Sequence, residues 1–158
     1  MTLYLLLKTL HVIGATVLFG TGAGIAFFML MAHRSGDPRA VAHTAGVVVI
    51  ADTLFTATAV VLQPVTGAVL AHIAGYPLLH GWVTLSLILY VVTGLFWLPV
   101  VWMQLRMRDL ARAAVQANGP LPAEYHRLWR LWFAFGFPAF FAVAAIIWLM
   151  VAKPYIPL

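Results

Sequence analysis

Four stretches of this chain are apolar over at least twenty residues, and this feature restricts the fold more than any single motif. They cover residues 3–32, 45–74, 82–105 and 131–152. A helix needs about 20 mostly apolar residues to cross the hydrocarbon core of a bilayer. Only 8% of the 158 residues are charged, against about 25% in a soluble domain. The sequence therefore predicts an all-α membrane protein, in which residues 1–158 form a single domain built as a four-transmembrane-helix bundle in the lipid bilayer.

Basic residues are distributed unevenly between the two sides of this bundle. The loop 75–81 contains no Lys or Arg, whereas the other two connections carry Arg34, Arg39, Arg106, Arg108, Arg112, Arg127 and Arg130. Lys and Arg accumulate in cytoplasmic loops. We therefore expect a bacterial inner (cytoplasmic) membrane protein with both termini in the periplasm. This placement accounts for the net charge of +5 without a nucleic acid partner.

The first apolar stretch contains two ionisable side chains close to its start. Lys8 and His11 are three residues apart and share a helix face, with Ala15 and Gly22 close to the same direction. An ionisable group inside a membrane span is by default a functional-site hypothesis. This face is therefore expected to bind something, with Lys8 and His11 as its polar groups.

His72 lies near the outer end of the second stretch, at a depth similar to that of His11. Neutral imidazole is a good ligand for haem iron, copper and zinc. Small residues at Gly14, Ala15 and Gly22 would leave room for a flat macrocycle, and Lys8 could meet a haem propionate. We therefore predict a cofactor site with His11 and His72 as metal ligands. Two axial histidines stand further apart than neighbouring helix axes, so this pair requires splayed helices, a diagonal arrangement or a second protomer.

Four further histidines lie at loop boundaries and are expected to be interfacial and solvated. They are His33, His43, His80 and His126. An inner second haem on His43 and His126 is the functional alternative.

Polar residues recur at helical spacing in the second and third stretches. One stripe contains Asp52, Thr56 and Gln63, and the other contains Ser86, Tyr90, Thr93, Trp97 and Gln104. Such stripes are expected to face other helices rather than lipid. We expect the Asp52 carboxylate to pair with an arginine such as Arg106 or Arg130. A proton relay or a quinone contact is the alternative role.

Several segments resemble known membrane families. Leu7-Lys8-Thr9-Leu10-His11-Val12-Ile13 and Phe27-Phe28-Met29-Leu30-Met31-Ala32-His33 resemble the first span of HemJ-type protoporphyrinogen oxidases and CopD-like relatives. Gln63-Pro-Val-Thr-Gly67, Gly81-Trp82 and Trp97-Leu-Pro-Val-Val-Trp-Met-Gln-Leu-Arg106 are similar to a family of predicted bacterial integral membrane proteins of unknown function. The HemJ resemblance implies haem b bound through a histidine at the position of His11. Ser86 stands where that group has a lysine. This difference argues against protoporphyrinogen oxidation and leaves haem binding open.

Three functional hypotheses follow from these patterns. The first is a haem b-binding membrane protein for electron transfer or for oxidation of a membrane-associated substrate, in the latter case as an oxidoreductase enzyme, with a porphyrin or quinone as partner. The second is a copper or other metal-ion permease that uses His11, His72, Met29 and Met31. The third is a cofactor-free subunit or assembly factor, in which the small residues Thr16, Gly20 and Gly24 let helices approach closely, within one bundle or in a homodimer.

Overall fold

A computed structural model describes residues 2–79 and 81–157. Its helices are α1 (Thr2–Ser35), α2 (Pro38–Ala51), α3 (Ala57–Ile73), α4 (Gly81–Gln116) and α5 (Ala123–Ala152). A π-helical turn, Asp52–Thr56, joins α2 to α3 without a break, so that Pro38–Ile73 is one long helix. The described residues thus contain four helices that are long and apolar enough to cross a membrane. The prediction of an all-α bundle of four transmembrane helices is confirmed.

The connection between α1 and α2 is a tight turn that the local sequence dictates. Gly36 adopts φ 68°, a left-handed conformation that glycine reaches without steric cost. Asp37 Oδ1 then accepts a hydrogen bond from the backbone N–H of Arg39 at 2.9 Å, with Pro38 in the first turn. A carboxylate cap followed by proline is a common start of a helix. α1 and the second span are therefore held as an antiparallel pair.

The helices are longer than a bilayer requires. α4 has 36 residues and is about 54 Å long, whereas the hydrocarbon core is about 30 Å thick. The extra turns of α4 and α5 lie at the end of the bundle that carries the arginines, which we call the arginine-rich end. We therefore expect the polar residues there, including Arg106 and Glu124, to lie beyond the hydrocarbon core.

The most tightly packed part of the bundle lies toward the arginine-rich end. The side chains of Met29, Val41, Met107 and Tyr125 are completely buried there, one each from α1, α2, α4 and α5. Toward the opposite end, few side chains are buried, among them Ala71, Val83 and Leu149. The four spans are thus joined firmly at one end and packed more loosely through the rest of the membrane, which leaves space between them.

Candidate functional site: an interhelical cavity

A cavity of about 490 Å³ lies between the four spans. Its walls are apolar and aromatic over most of their area, with a few polar side chains on one side. Phe27, Phe137 and Phe141 line the cavity and are each about half exposed at the surface of the bundle. The cavity therefore extends to the lipid-facing surface. Its size and lining match those of small-molecule sites, which often lie between the helices of a bundle.

The two polar stripes of the sequence meet at this cavity. Asp52, Thr56 and Gln63 line it from the second span, and Tyr90, Trp97 and Gln104 line it from α4. Asp52, Thr56, Gln63 and Gln104 are all buried. The prediction that both stripes face other helices is confirmed.

Asp52 begins the π-helical turn Asp52–Thr56. In this turn the backbone N–H of Ala57 bonds to the carbonyl of Asp52, five residues back, so one extra residue is accommodated. Single π turns inside α-helices occur frequently at functional sites. Here Asp52 and Thr56 are buried and point inward, while Thr53 is exposed and faces outward.

The Asp52 carboxylate has one protein partner on one of its oxygens. Trp97 Nε1 donates to Asp52 Oδ1 at 3.4 Å, and Oδ2 is buried without a hydrogen-bond partner. The expectation that Asp52 pairs with an arginine is wrong. Arg106 is bound to Glu124, with Nε 2.9 Å from Oε1, and no ion pair to Asp52 is present in 2–79 and 81–157. Asp52 lies level with Trp97, whereas Arg106 is nine residues further along α4, toward the arginine-rich end.

Further buried polar atoms of the lining also have no protein partner. They are Thr56 Oγ1, Gln104 Oε1 and Trp132 Nε1. Buried polar groups are hydrogen-bonded in the great majority of cases, and an exception requires an explanation. Several such atoms on one cavity indicate a place where a bound molecule supplies the missing hydrogen bonds.

Tyr90 has a structural role at the edge of the cavity. Its hydroxyl donates to the backbone carbonyl of Val60. Pro64, four residues after Val60, has no N–H and cannot make the usual helical bond to that carbonyl. Tyr90 therefore replaces the donor that the proline removes, as required of a backbone group in a membrane.

His11 packs against α3 near the cavity, and no histidine among residues 2–79 and 81–157 is part of the cavity lining. Its Nδ1 lies 2.8 Å from Thr66 Oγ1, and its backbone carbonyl accepts from Gln63 Nε2 at 2.8 Å. Gly67 leaves room for the ring, since a Cβ there would be 3.2 Å from His11 Cε1. The imidazole is thus held by α3. Gln63, which lines the cavity, also bonds to the backbone of α1 at His11.

The remaining predicted cofactor residues are dispersed. Ala15 and Gly22 line the cavity, whereas Gly14 lies against the Gln63 side chain and Lys8 is exposed. His72 is exposed in the last turn of α3. Among the described residues, no three His, Asp or Glu side chains form a group that could hold a metal ion. The cavity therefore offers no imidazole for iron, and haem binding through His11 and His72 stays a prediction.

The loop-boundary histidines differ from one another. His43 and His126 are exposed, as expected for solvated residues. His33 meets the expectation only in part, because it is partly buried and stacks on Trp129 with ring centroids 3.7 Å apart. His80 lies outside the described residues.

At the arginine-rich end, Arg106 and Glu124 join α4 to α5. Two hydrogen bonds, of 2.9 and 3.2 Å, connect the guanidinium to the carboxylate. The hydrogen bond from Arg106 lowers the pKa of Glu124 below its ordinary value of 4.5. Both side chains are largely solvated, so this pair fixes the helix ends and lies apart from the cavity.

Comparison with known proteins places the chain in a family. Residues 5–154 match the family described as predicted integral membrane protein, DUF2269. Searches of curated proteins and of solved structures found no match. The resemblance to HemJ-type and CopD-like proteins stays a prediction. Because the family match covers nearly the whole chain, this protein belongs to the DUF2269 family of predicted integral membrane proteins.

Proposed function

We propose that this protein binds a small, lipid-soluble organic molecule in the cavity between its transmembrane helices. The observation that carries the proposal is the set of buried polar atoms without protein partners, Asp52 Oδ2, Thr56 Oγ1, Gln104 Oε1 and Trp132 Nε1, on the wall of one apolar cavity. A ligand with an apolar body and a polar group satisfies both parts of this lining. The partly exposed phenylalanines give such a molecule a lateral route from the lipid.

Two glycines of α1 provide a matched test. A Cβ at either Gly22 or Gly20 meets nothing within 4 Å, but only Gly22 lines the cavity. Gly22→Leu therefore places a side chain in the ligand's space, and Gly20→Leu adds the same side chain outside it. Protein purified in mild detergent is extracted with organic solvent, and the extract is analysed by mass spectrometry. We expect one compound to be retained by the wild type and by Gly20→Leu and to be depleted in Gly22→Leu. Equal amounts in all three proteins would count against the proposal.

Haem b bound through His11 is a second candidate, supported by the hydrogen bonds of the imidazole. The Thr66 hydroxyl donates to the carbonyl of Leu62 at 2.8 Å, so it accepts from His11 Nδ1–H. The neutral ring then carries its lone pair on Nε2. Metal-binding histidines characteristically donate their other ring N–H in this way. Bound haem would supply one-electron chemistry for electron transfer or for oxidation of a membrane-associated substrate.

Absorption spectra test this second candidate directly. The protein is expressed with ample haem, and oxidised-minus-reduced spectra are recorded for wild type, His11→Ala and His72→Ala. We expect a Soret band in the wild type and its loss in His11→Ala. The exposed His72 serves as the comparison, because its loss changes the spectrum only if it is the opposite axial ligand. A wild type without a Soret band removes the haem candidate and leaves the cavity proposal in place.

A further inference from the structure

We propose that the cavity ligand is a hydrophobic organic cation, such as an ammonium compound with an apolar or aromatic body, and that Asp52 binds its positive charge. This inference rests on the proposed function, since it names the class of molecule that the cavity holds.

The charge of the lining supports this class of ligand. Asp52 is 5% exposed and its Oδ2 has no partner. No Lys, Arg or His lines the cavity in the described part of the chain. An ionised carboxylate is costly at membrane depth unless a positive charge or a proton neutralises it. Because the protein supplies no positive charge there, the ligand or a proton has to do so.

The aromatic walls support the same conclusion. Trp97, Trp132 and Tyr90 line the cavity together with several phenylalanines. The faces of aromatic rings attract organic cations, and this attraction is larger where water is excluded. Gln104 Oε1 adds a second unpartnered acceptor. The lining thus combines one carboxylate, one amide oxygen and aromatic faces, which suits a cation with an apolar body better than an anion.

A proton competes with the cation for Asp52. Tyr90 is the only other titratable side chain of the lining among the described residues, and its hydroxyl is engaged with the carbonyl of Val60. The group that contacts the carboxylate from α4 is the indole of Trp97, which does not titrate. Binding of a cation therefore displaces the Asp52 proton, and raising the pH strengthens binding of the cation without affecting a neutral ligand.

The test uses two probes of the same shape in nanodiscs of uncharged lipid. One is a phenylalkyl trimethylammonium ion, and the other is its neutral isostere with a tert-butyl group. Binding is measured by tryptophan fluorescence at pH 6 and pH 8 for wild type, Asp52→Asn and Asp37→Asn, the last being an exposed control. We expect Asp52→Asn to weaken binding of the cation about 10- to 100-fold, because a quaternary ammonium has no N–H and is held by its Coulombic attraction to the carboxylate, which a neutral amide lacks. Binding of the neutral probe to Asp52→Asn, and of both probes to Asp37→Asn, should equal that of the wild type.

Several outcomes separate this inference from the proposed function. If the neutral probe binds the wild type as tightly as the cation does, and Asp52→Asn changes neither, the cation assignment fails and the cavity proposal stands. If neither probe binds the wild type, the cation assignment fails, and the extraction experiment with Gly22→Leu decides the cavity proposal. The pH dependence in the wild type keeps the inference testable even if Asp52→Asn does not fold. An affinity for the cation that is equal at pH 6 and pH 8, with no proton released into weakly buffered solution on binding, overturns it.

Discussion

The imidazole of His33 lies flat against the indole of Trp129, with ring centroids 3.7 Å apart and planes 9° from parallel. Nδ1 of the same imidazole is 3.3 Å from the Tyr125 hydroxyl. These contacts join the last turn of α1 to the first turns of α5. The arginine-rich end of the bundle is thus closed by aromatic stacking and a buried hydroxyl, which explains why packing is tightest there.

Replacing Tyr125 by Phe should weaken this closure. Tyr125 is fully buried, and the substitution removes the hydroxyl that is the hydrogen-bond partner of His33 Nδ1. We expect a loss of about 1 kcal/mol in the free energy of unfolding. Thermal unfolding in detergent, followed by circular dichroism, measures the change. Tyr155→Phe is the control, because that side chain is 94% exposed and should be neutral. Equal unfolding temperatures for the two variants would contradict the assigned role.

The contact of His33 with α5 illustrates what a sequence alone does not reveal. His33 and Tyr125 are 92 residues apart, and helical periodicity gives the direction of a side chain on its own helix only. It does not give the register between helices that are distant in sequence. The sequence therefore predicts that His33, beside Arg34 and Ser35, is solvated, although α5 partly covers it in the folded protein.

The cavity was predictable in part. The periodicity of Asp52, Thr56 and Gln63 predicts correctly that this stripe faces inward, because polar groups are excluded from lipid. The partner of Asp52 could not be predicted, because it depends on which residues of the second span and of α4 lie at the same level. The π-helical turn also could not be predicted, because no residue type marks such a turn in a sequence. Pro64, by contrast, is a visible signal, and it accounts for the hydrogen bond between Tyr90 and Val60. The buried polar atoms without a hydrogen-bond partner can be identified only from the folded bundle, because burial and partners depend on all four helices.

Thr66→Val should destabilise the contact between α1 and α3. The variant keeps the shape of the side chain and removes the acceptor of His11 Nδ1–H, which lies at 2.8 Å. Hydrogen bonds between membrane helices contribute about 0.6 kcal/mol on average and at most about 1.7 kcal/mol, and we expect a loss in this range from thermal unfolding. Thr58→Val is the control, because the exposed Thr58 hydroxyl bonds only to Leu54 of its own helix. An equal effect of both substitutions would show that the bond to His11 contributes nothing.

Gly14→Ala should disturb the same interface by a steric route. A Cβ at Gly14 would collide with the side-chain amide of Gln63, which donates to the carbonyl of His11. Gln63 then has to move, and a buried amide loses its partner at a cost of about 1–3 kcal/mol. Gly20→Ala on the same helix meets nothing within 4 Å and should be neutral or slightly stabilising. Unfolding temperatures of the two variants in the same detergent decide between these outcomes.

Glu124→Gln should change how stability depends on pH. The Arg106 guanidinium lowers the pKa of Glu124 below 4.5, so the carboxylate stabilises the folded state at pH values above 4.5. This contribution is lost as the pH falls through the lowered pKa. The wild type should therefore unfold at a slightly higher temperature than Glu124→Gln at pH 7, and the difference should be smaller at pH 3. A difference that is the same at both pH values would exclude ionisation of Glu124 as its cause.

Trp97→Phe tests the indole N–H that donates to the Asp52 carboxylate. The substitution keeps an aromatic ring in the cavity wall and removes the Nε1–H that donates to Oδ1 at 3.4 Å. Leaving a buried acceptor without a partner costs about 1–3 kcal/mol, and we expect a decrease in stability of this size. Trp102→Phe is the control, since Trp102 lies on the same helix and is 60% exposed. A double-mutant cycle with Asp52→Leu, which has a similar size and no acceptor, isolates the interaction itself. If Trp97 acts through Asp52, Trp97→Phe should cost less in the Leu background than in the wild type. If the cost is the same in both backgrounds, the indole contributes through packing alone and the carboxylate has to be stabilised by the bound ligand or by a proton.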